Sequence, residues 1–337
     1  MCAASAALFG AATPAAKLIL DRVPPITLAG LLYLGAALVA GPAVVIQSVG
    51  RPSRADVAKV AGAVLFGGLL APVLLLVGLN RTSASTASLL LNLELVATAV
   101  LARAFFGEHI GRRAGIGLLA LAAAGTLLTG AGGDMSSGAL LVIGACLCWG
   151  LDNNLTATAV GVTPAQITLA KGVVAGSVNL TIGLAIERPA LGAGSVGWAI
   201  VVGAIGYGAS IMLWVASARR LGAARSQGVF ATAPFVGMAL GWILTSDPVR
   251  SPQLLALAVM GVGVGLVVSS AHKHEHRHPA ALHEHRHLHD DSHHTHDHAD
   301  DSLTDSVGGW HSHPHAHQEL VHSHPHVPDE LHRHTHA

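Results

Sequence analysis

Hydrophobic positions in this chain do not recur with a helical or strand period; they run on, unbroken, for about twenty residues at a time until residue 270. Continuous apolar runs of roughly 18 or more residues match the thickness of a bilayer's hydrocarbon when coiled as helices, and lipid then requires every backbone group to be paired within its own helix. The pattern predicts spans at about 5–20, 25–46, 57–79, 84–106, 112–131, 138–160, 163–186, 196–217, 226–245 and 252–270. Polar and turn-forming clusters separate them: Asp21 to Pro25, Arg51 to Arg54, Asn80 to Ser83, Gly111 to Arg113, Gly132 to Asp134, Glu187 to Pro189, Arg219 with Arg220, and Asp247 to Arg250. The first span lacks a basic start and carries Pro14 and Lys17, so it reads as a mature helix and not as a cleaved leader.

The fold expected from this pattern is an all-α membrane protein of ten transmembrane helices. An internal repeat organises it. Leu8-Phe9-Gly10 has a counterpart in Cys148-Trp149-Gly150, and Thr82 to Glu108 can be laid over Leu221 to Asp247 without a gap, Leu93-Glu94-Leu95-Val96 meeting Thr232-Ala233-Pro234-Phe235. Five helices per repeat is an odd number, so the halves, 1–133 and 134–270, must cross the membrane in opposite senses, the inverted-repeat plan of many secondary transporters.

Composition agrees: 51% of residues are hydrophobic and only 11% charged, and mean hydropathy is +0.54. The formal net charge is zero, which leaves no electrostatic footprint for nucleic acid. With Arg51, Arg54, Lys59, Arg112, Arg113, Arg219, Arg220 and Arg225 in one set of connections and only Arg22, Arg81, Arg188 and Arg250 in the other, the basic side marks the cytoplasm. The expected location is the inner or plasma membrane, multi-pass, with both termini cytoplasmic. Cys2, Cys146 and Cys148 are too few for a disulfide framework and read as small core residues. No hydrolase elbow, phosphate-cradling loop or zinc-protease signature is present, so an enzyme is not expected.

Charges inside the spans carry the candidate chemistry. A charge at mid-bilayer costs on the order of 3 kcal/mol even on lenient scales and normally faces a cavity or the bundle interior. Glu94, Asp152 and Lys171 fall near mid-depth of spans four, six and seven, with Asn92, Asn153 and Asn154 beside them as neutral donors and acceptors. One ammonium facing two carboxylates leaves one acid without a counter-charge, an arrangement that lets a carboxyl group carry a proton in exchange for solute. The competing reading is a structural ion pair that only fixes helix register. Lys17 and Arg103 lie nearer span ends, where long side chains snorkel to headgroups. The run Gly237 to Gly241 is a small-residue helix contact that would also suit a homodimer.

Beyond residue 270 the character inverts. Of 23 histidines, all but His109 lie in the last 67 residues. They fall in spaced runs: His272, His274, His276 and His278; His283, His285, His287 and His289; His293, His294, His296 and His298. After Trp310 come His311, His313, His315 and His317, then His322, His324 and His326, and finally His332, His334 and His336. Residues two apart share one side of an extended chain, and neutral imidazole suits nickel, zinc, cobalt and copper. Such a segment is too polar to bury a core and is expected to be disordered without metal. The tail is therefore expected to bind transition metals in a loose, multi-site manner; no cofactor is required by the body.

Thr82-Ser83-Ala84, Leu93-Glu94-Leu95-Val96 and Gly107-Glu108 resemble the fourth helix of EamA-type permeases of the drug/metabolite transporter superfamily. Ala233-Pro234-Phe235-Val236 and Ser246-Asp247 give a fainter match, departing at Ala233, where the family has an acid, as Leu95 departs from a common proline. Trp149-Gly150-Leu151-Asp152-Asn153-Asn154-Leu155-Thr156 and Lys171-Gly172 are similar to the subset with histidine-rich carboxyl ends. The resemblance covers 5–270 and implies an alternating-access carrier. The expected activity is proton-coupled movement of a small polar metabolite or ion, with a metal-binding regulatory tail; the alternative is a divalent transition-metal transporter or a membrane-tethered metal buffer or sensor.

Overall fold

A computed structural model describes residues 1–46, 53–107, 110–130, 137–159, 161–221, 229–269, 272–278, 281–288, 310–317 and 320–326. The body up to Ser270 and the segment Ala271–Val327 form two separate compact units. The body is helical: α1 Cys2–Leu20, α2 Pro25–Ile46, α3 Arg54–Asn80, α4 Ala84–Phe105, α5 Arg112–Gly130, α6 Ser137–Ala157, α7 Pro164–Ile186, α8 Ala193–Trp214, α9 Ala233–Leu244 and α10 Ser251–Val268. Each predicted span therefore holds a helix. Among the described residues eight are long and apolar enough to cross a membrane; α9 is apolar but shorter, and α5, which opens on Arg112 and Arg113, is not one of the eight. Leu38, Phe105, Leu119, Trp198 and Ile243 stand exposed on the outside of the bundle, where lipid replaces water as solvent.

Three of these helices are not α-helical throughout. Val64–Leu70 in α3, Lys171–Ala175 in α7 and Gly203–Ala209 in α8 are π-helical. α4 is broken by a turn at Leu91 and Asn92, between Ala84–Leu90 and Leu93–Phe106, and a matching turn at Ala231 and Thr232 precedes α9. The hydrogen bonds agree: Asn92 N–H donates to Leu89 O and Leu95 N–H to Asn92 O, as Thr232 N–H donates to Val229 O and Phe235 N–H to Thr232 O. This corrects the gapless overlay by one residue, so Pro234, not Ala233, stands where the first half has Glu94. A gapless alignment cannot sense a one-residue difference in the connection, whereas the two turns fix it.

Helix pairings exchange between halves. α1 packs on α9 and α6 on α4; α2 packs on α8 and α7 on α3; α2 meets α7, and α5 meets α10. Glycines set the close approaches: Gly10 lies against Ala233 and Val236, and Gly150 against Ala97 and Thr98, so the Gly10 and Gly150 correspondence is one of position as well as sequence. Gly117 and Gly263 face each other's carbonyls across α5 and α10. Leu28, Leu32, Leu75, Leu79, Leu90 and Met260 are among the fully buried residues of the larger of two core clusters, the smaller being Tyr33, Val64 and Ala175.

In the second unit, four strands are described by their backbone: β1 His272–His278, β2 Ala281–Leu288, β3 Trp310–His317 and β4 Leu320–His326. β1 pairs antiparallel with β4, and β2 with β3, as two separate two-stranded ladders. His109, His289, His293, His294, His296, His298, His332, His334 and His336 lie outside the described residues.

Candidate functional site in the helical body

Lys171 donates from Nζ to Asp152 Oδ2 at 2.5 Å, with side chains 17% and 5% exposed. Asp152 reaches this position from α6 because Gly67 of α3 presents no side chain: a Cβ there would collide with the Asp152 carboxylate. Its neighbour Gly68 lies against Ala175 and the Lys171 stem. The second carboxylate oxygen, Oδ1, accepts from Thr156 one turn further along α6 at 3.1 Å.

The π-helical stretch of α3 supplies the floor. A π-turn displaces the regular i to i+4 ladder and commonly marks functional sites, and its carbonyls here take side-chain donors from three other helices. Gly67 O accepts from Tyr33 OH of α2 at 2.5 Å and from Trp149 Nε1 of α6 at 3.1 Å. Gly68 O and Leu69 O each accept from Asn179 Nδ2 of α7 at 3.3 Å. Lys171 is itself the first residue of the π-helical stretch in α7. Polarity of the backbone, which lipid forbids at an exposed surface, is thus retained and satisfied inside the bundle.

Glu94 enters from the opposite side. It sits in the first turn of the second half of α4, just past the break, and its Oε1 accepts from Asn153 Nδ2 at 2.8 Å; the same amide donates to Thr98 Oγ1 at 3.2 Å. Asp152 and Asn153 are consecutive, about 100° apart around α6, so one turns to Lys171 and the other to Glu94. Adjacent residues of α6 thus link Glu94 to the Asp152–Lys171 pair.

Their depths differ from one another. Glu94 is ten residues, or about 15 Å, from the start of α4. Asp152 lies five residues before the end of α6 and Lys171 seven residues after the start of α7, about 7.5 and 10 Å from the connection between those helices. The ion pair is thus displaced from the centre toward that connection. There a cavity of about 190 Å³ is lined by Val57, Val60, Val162, Gln166 and Ala170, the last adjoining Lys171.

The other amides fall elsewhere. Asn154 donates to Gly150 O at 2.7 Å and to Thr98 O at 3.1 Å, clasping α6 to α4 with both hydrogens engaged. Asn92 donates to Leu89 O and to Met260 Sδ of α10, and its Oδ1 is buried without a protein partner; it faces α10, away from the ion pair. Lys17 does not snorkel: its Nζ donates to Leu79 O and Thr82 O, capping the end of α3. Cys146 is buried and donates to Leu90 O. Sequence reading missed Tyr33, Gly67, Thr98 and Asn179, since a lone polar or aromatic residue in an apolar run has no local signal, and it quoted Trp149 and Thr156 only as part of a motif, without a role. Gly67-Gly68 in the middle of a span was the one visible hint.

Among curated proteins none matches this chain. Solved structures do: one crystal structure of a protein 18% identical covers 79% of this chain and 94% of its own length with a TM-score of 0.56, a likeness of fold alone. The family model of the EamA-like transporter family matches twice, over residues 1–130 and 136–269. The chain is thus a multi-pass membrane protein of two repeats that belongs to the EamA-like transporter family.

Proposed function

We propose that this protein is a secondary carrier of ten spans which moves a small polar solute by alternating access, with Glu94 as the proton-exchanging acid and the Asp152–Lys171 pair as the second half of the solute site. The observation that carries this reading is the junction at Asn153: one side chain on α6 is bonded to Glu94 while its neighbour Asp152 is bonded to Lys171. Asp152 is matched by a cation; Glu94 has only neutral hydrogen-bond partners described. A carboxylate so placed is the group that a proton or a polar solute would neutralise in turn, which is the requirement for coupling.

Protonation of Glu94 would weaken its hold on the Asn153 amide and free Asn153 and Thr98 to bond solute. Return of the charge would reverse this. The π-helical stretches in α3 and α7, which carry the floor of the site and Lys171 itself, are where the helices can change length and rotation at little cost. The cavity beside Ala170 lies toward the connection between α6 and α7, the side that the basic loops would assign to the cytoplasm. The described side chains at the site are carboxylate, ammonium, amide and hydroxyl groups, which suit a small polar solute. Metal would belong to the tail, as a regulatory ligand from the cytoplasm.

The test is a growth and accumulation screen of a deletion strain across metabolites and metals, followed by uptake into proteoliposomes. Glu94→Gln should abolish pH-gradient-driven uptake while retaining solute binding, and Asp152→Asn or Lys171→Ala should weaken binding itself. Full complementation by all three variants would overturn the site.

A further inference from the structure

At one end of the bundle, two carboxylates of the second half reach across to helix starts of the first. Glu187, just past α7, accepts from the backbone N–H groups of Ile26 and Thr27 at 2.9 Å each and from Thr27 Oγ1 at 2.7 Å. Asp247, between α9 and α10, accepts from the Ser85 N–H of α4 at 2.8 Å. Gln253 Nε2 adds bonds to Ser85 Oγ at 3.1 Å and Thr86 Oγ1 at 3.0 Å. The first N–H groups of a helix have no partner within it and carry partial positive charge, so both acids make charge-assisted caps. α2 depends on its cap, because Pro24 before it offers no side-chain acceptor. In α4, Ser83 takes the Thr86 N–H and leaves that of Ser85 to Asp247.

The two sites share a plan. Gly183 lies against Thr27 one turn before Glu187, and Gly241 lies against Ser85 shortly before Asp247; a Cβ at either glycine would collide with the first-half backbone. Each acid also adjoins a residue in left-handed backbone. Arg188 follows Glu187 at φ 46°, Ser246 precedes Asp247 at φ 52°, and these are the two non-glycine residues of positive φ among the described residues. Side chains disfavour that conformation, which persists where surrounding contacts impose it and clusters at switching segments. Here the imposing contacts are the caps.

The opposite end is built differently. α7 starts beside the cavity and ends at Glu187, and Gly78 and Gly138 face each other's carbonyls, which sets the start of α4 beside the start of α6, away from the α6–α7 connection. At the cavity end Lys59 donates to Thr158 O, yet Val57 and Val60 of the first half and Val162, Gln166 and Ala170 of the second line open space between them.

We infer that Glu187 and Asp247 are the latches of a gate: they hold shut the end of the bundle away from the cavity, and they part when the bundle opens there. This rests on the alternating-access reading above and deepens it by naming the residues that close one end. Both acids are half-buried, so water takes over their hydrogen bonds as the halves separate. Relaxation of Arg188 and Ser246 offsets part of what is lost.

The experiment uses the full chain in phospholipid nanodiscs. Spin labels on bio-orthogonal residues at exposed Arg22 and Ala190 report the first latch, and at exposed Arg81 and Val249 the second; melting temperature is recorded in parallel. Glu187→Ala and Asp247→Ala should each raise the ratio of long to short separations at its own pair by about tenfold. Where an alanine variant does not fold, Glu187→Gln or Asp247→Asn, which keep an acceptor oxygen, should show the same shift in lesser degree. Adding Arg188→Gly to Glu187→Ala, or Ser246→Gly to Asp247→Ala, should return part of the population to the short separation, because glycine adopts positive φ without strain. Lower melting temperatures with both separations unchanged would make the acids helix caps alone and overturn the gate. That result alongside loss of driven uptake in Glu94→Gln would leave the carrier reading standing; driven uptake retained in Glu94→Gln would overturn that reading instead.

Discussion

At the scale of single residues, what distinguishes function from packing is how many partners each polar group has. Asp152 and Lys171 satisfy one another; removing either leaves the other charge stranded in low dielectric, and breaking such a pair costs about 3–5 kcal/mol. Asp152→Asn and Lys171→Met are each expected to lower the detergent melting temperature clearly, and the double variant to recover a good part of that loss. If the double variant were as unstable as the sum of the singles, the two would not be acting as a pair. Glu94→Gln differs in kind, because an amide oxygen still accepts from Asn153; its melting temperature should stay close to that of the parent while driven uptake is lost. Lys17→Met should remove the cap on Leu79 O and Thr82 O at a cost of about 1–3 kcal/mol for the buried carbonyls, visible as lower thermal stability with unchanged solute affinity. That Glu94, Asp152 and Lys171 were worth naming was legible, since charge is expensive in lipid wherever the chain places it. That Asn154 is a clasp and Asn92 faces α10 was not, because adjacent amides look alike in sequence and differ only in the direction that helix rotation gives them.

At the scale of elements, the bilayer makes span length readable and span rotation unreadable. Most helices of the body are apolar all round, so no amphipathic stripe announces which face meets which neighbour. Packing is settled instead by small residues, and the decisive one for the site is Gly67, whose missing side chain admits the Asp152 carboxylate. Gly67→Ala is expected to displace Asp152 from Lys171 and to reduce solute binding at least tenfold, whereas alanine at Gly111, where nothing lies within 4 Å, should be silent in the same uptake assay. The π-helical stretches had no sequence signal either: that of α3 takes side-chain donors from other helices, Tyr33, Trp149 and Asn179 onto the carbonyls of Gly67 to Leu69. The break in α4 and its counterpart before α9 show the same limit, since a one-residue shift between repeats changes which side chain stands in for Glu94.

At the scale of the whole molecule, two repeats exchange partners so that each half completes the other, yet the charged site is not duplicated. Pro234 stands opposite Glu94 in the corrected register, and in the turn-matched alignment of the first helices Ala12 takes the place of Asp152: Ala12 lies against Gly206 as Asp152 lies against Gly67. The repeats are thus symmetric in packing and asymmetric in charge. Truncation after Ser270 should therefore leave basal uptake in proteoliposomes intact and remove only its response to added zinc; loss of all uptake would place the tail inside the transport cycle.

Sequence alone determined the membrane class, the positions of the helices, the repeat and the identity of the costly charges, because each follows from the solvation of a local stretch or from its likeness to another. Only the tertiary structure decided that Asp152 meets Lys171, that Asn153 joins them to Glu94, and that histidines of the first tail strand register with those of the last. Those pairings join segments far apart in the chain, and their geometry is set by helix rotation, close glycine contacts and strand register, none of which a run of apolar or alternating residues encodes by itself.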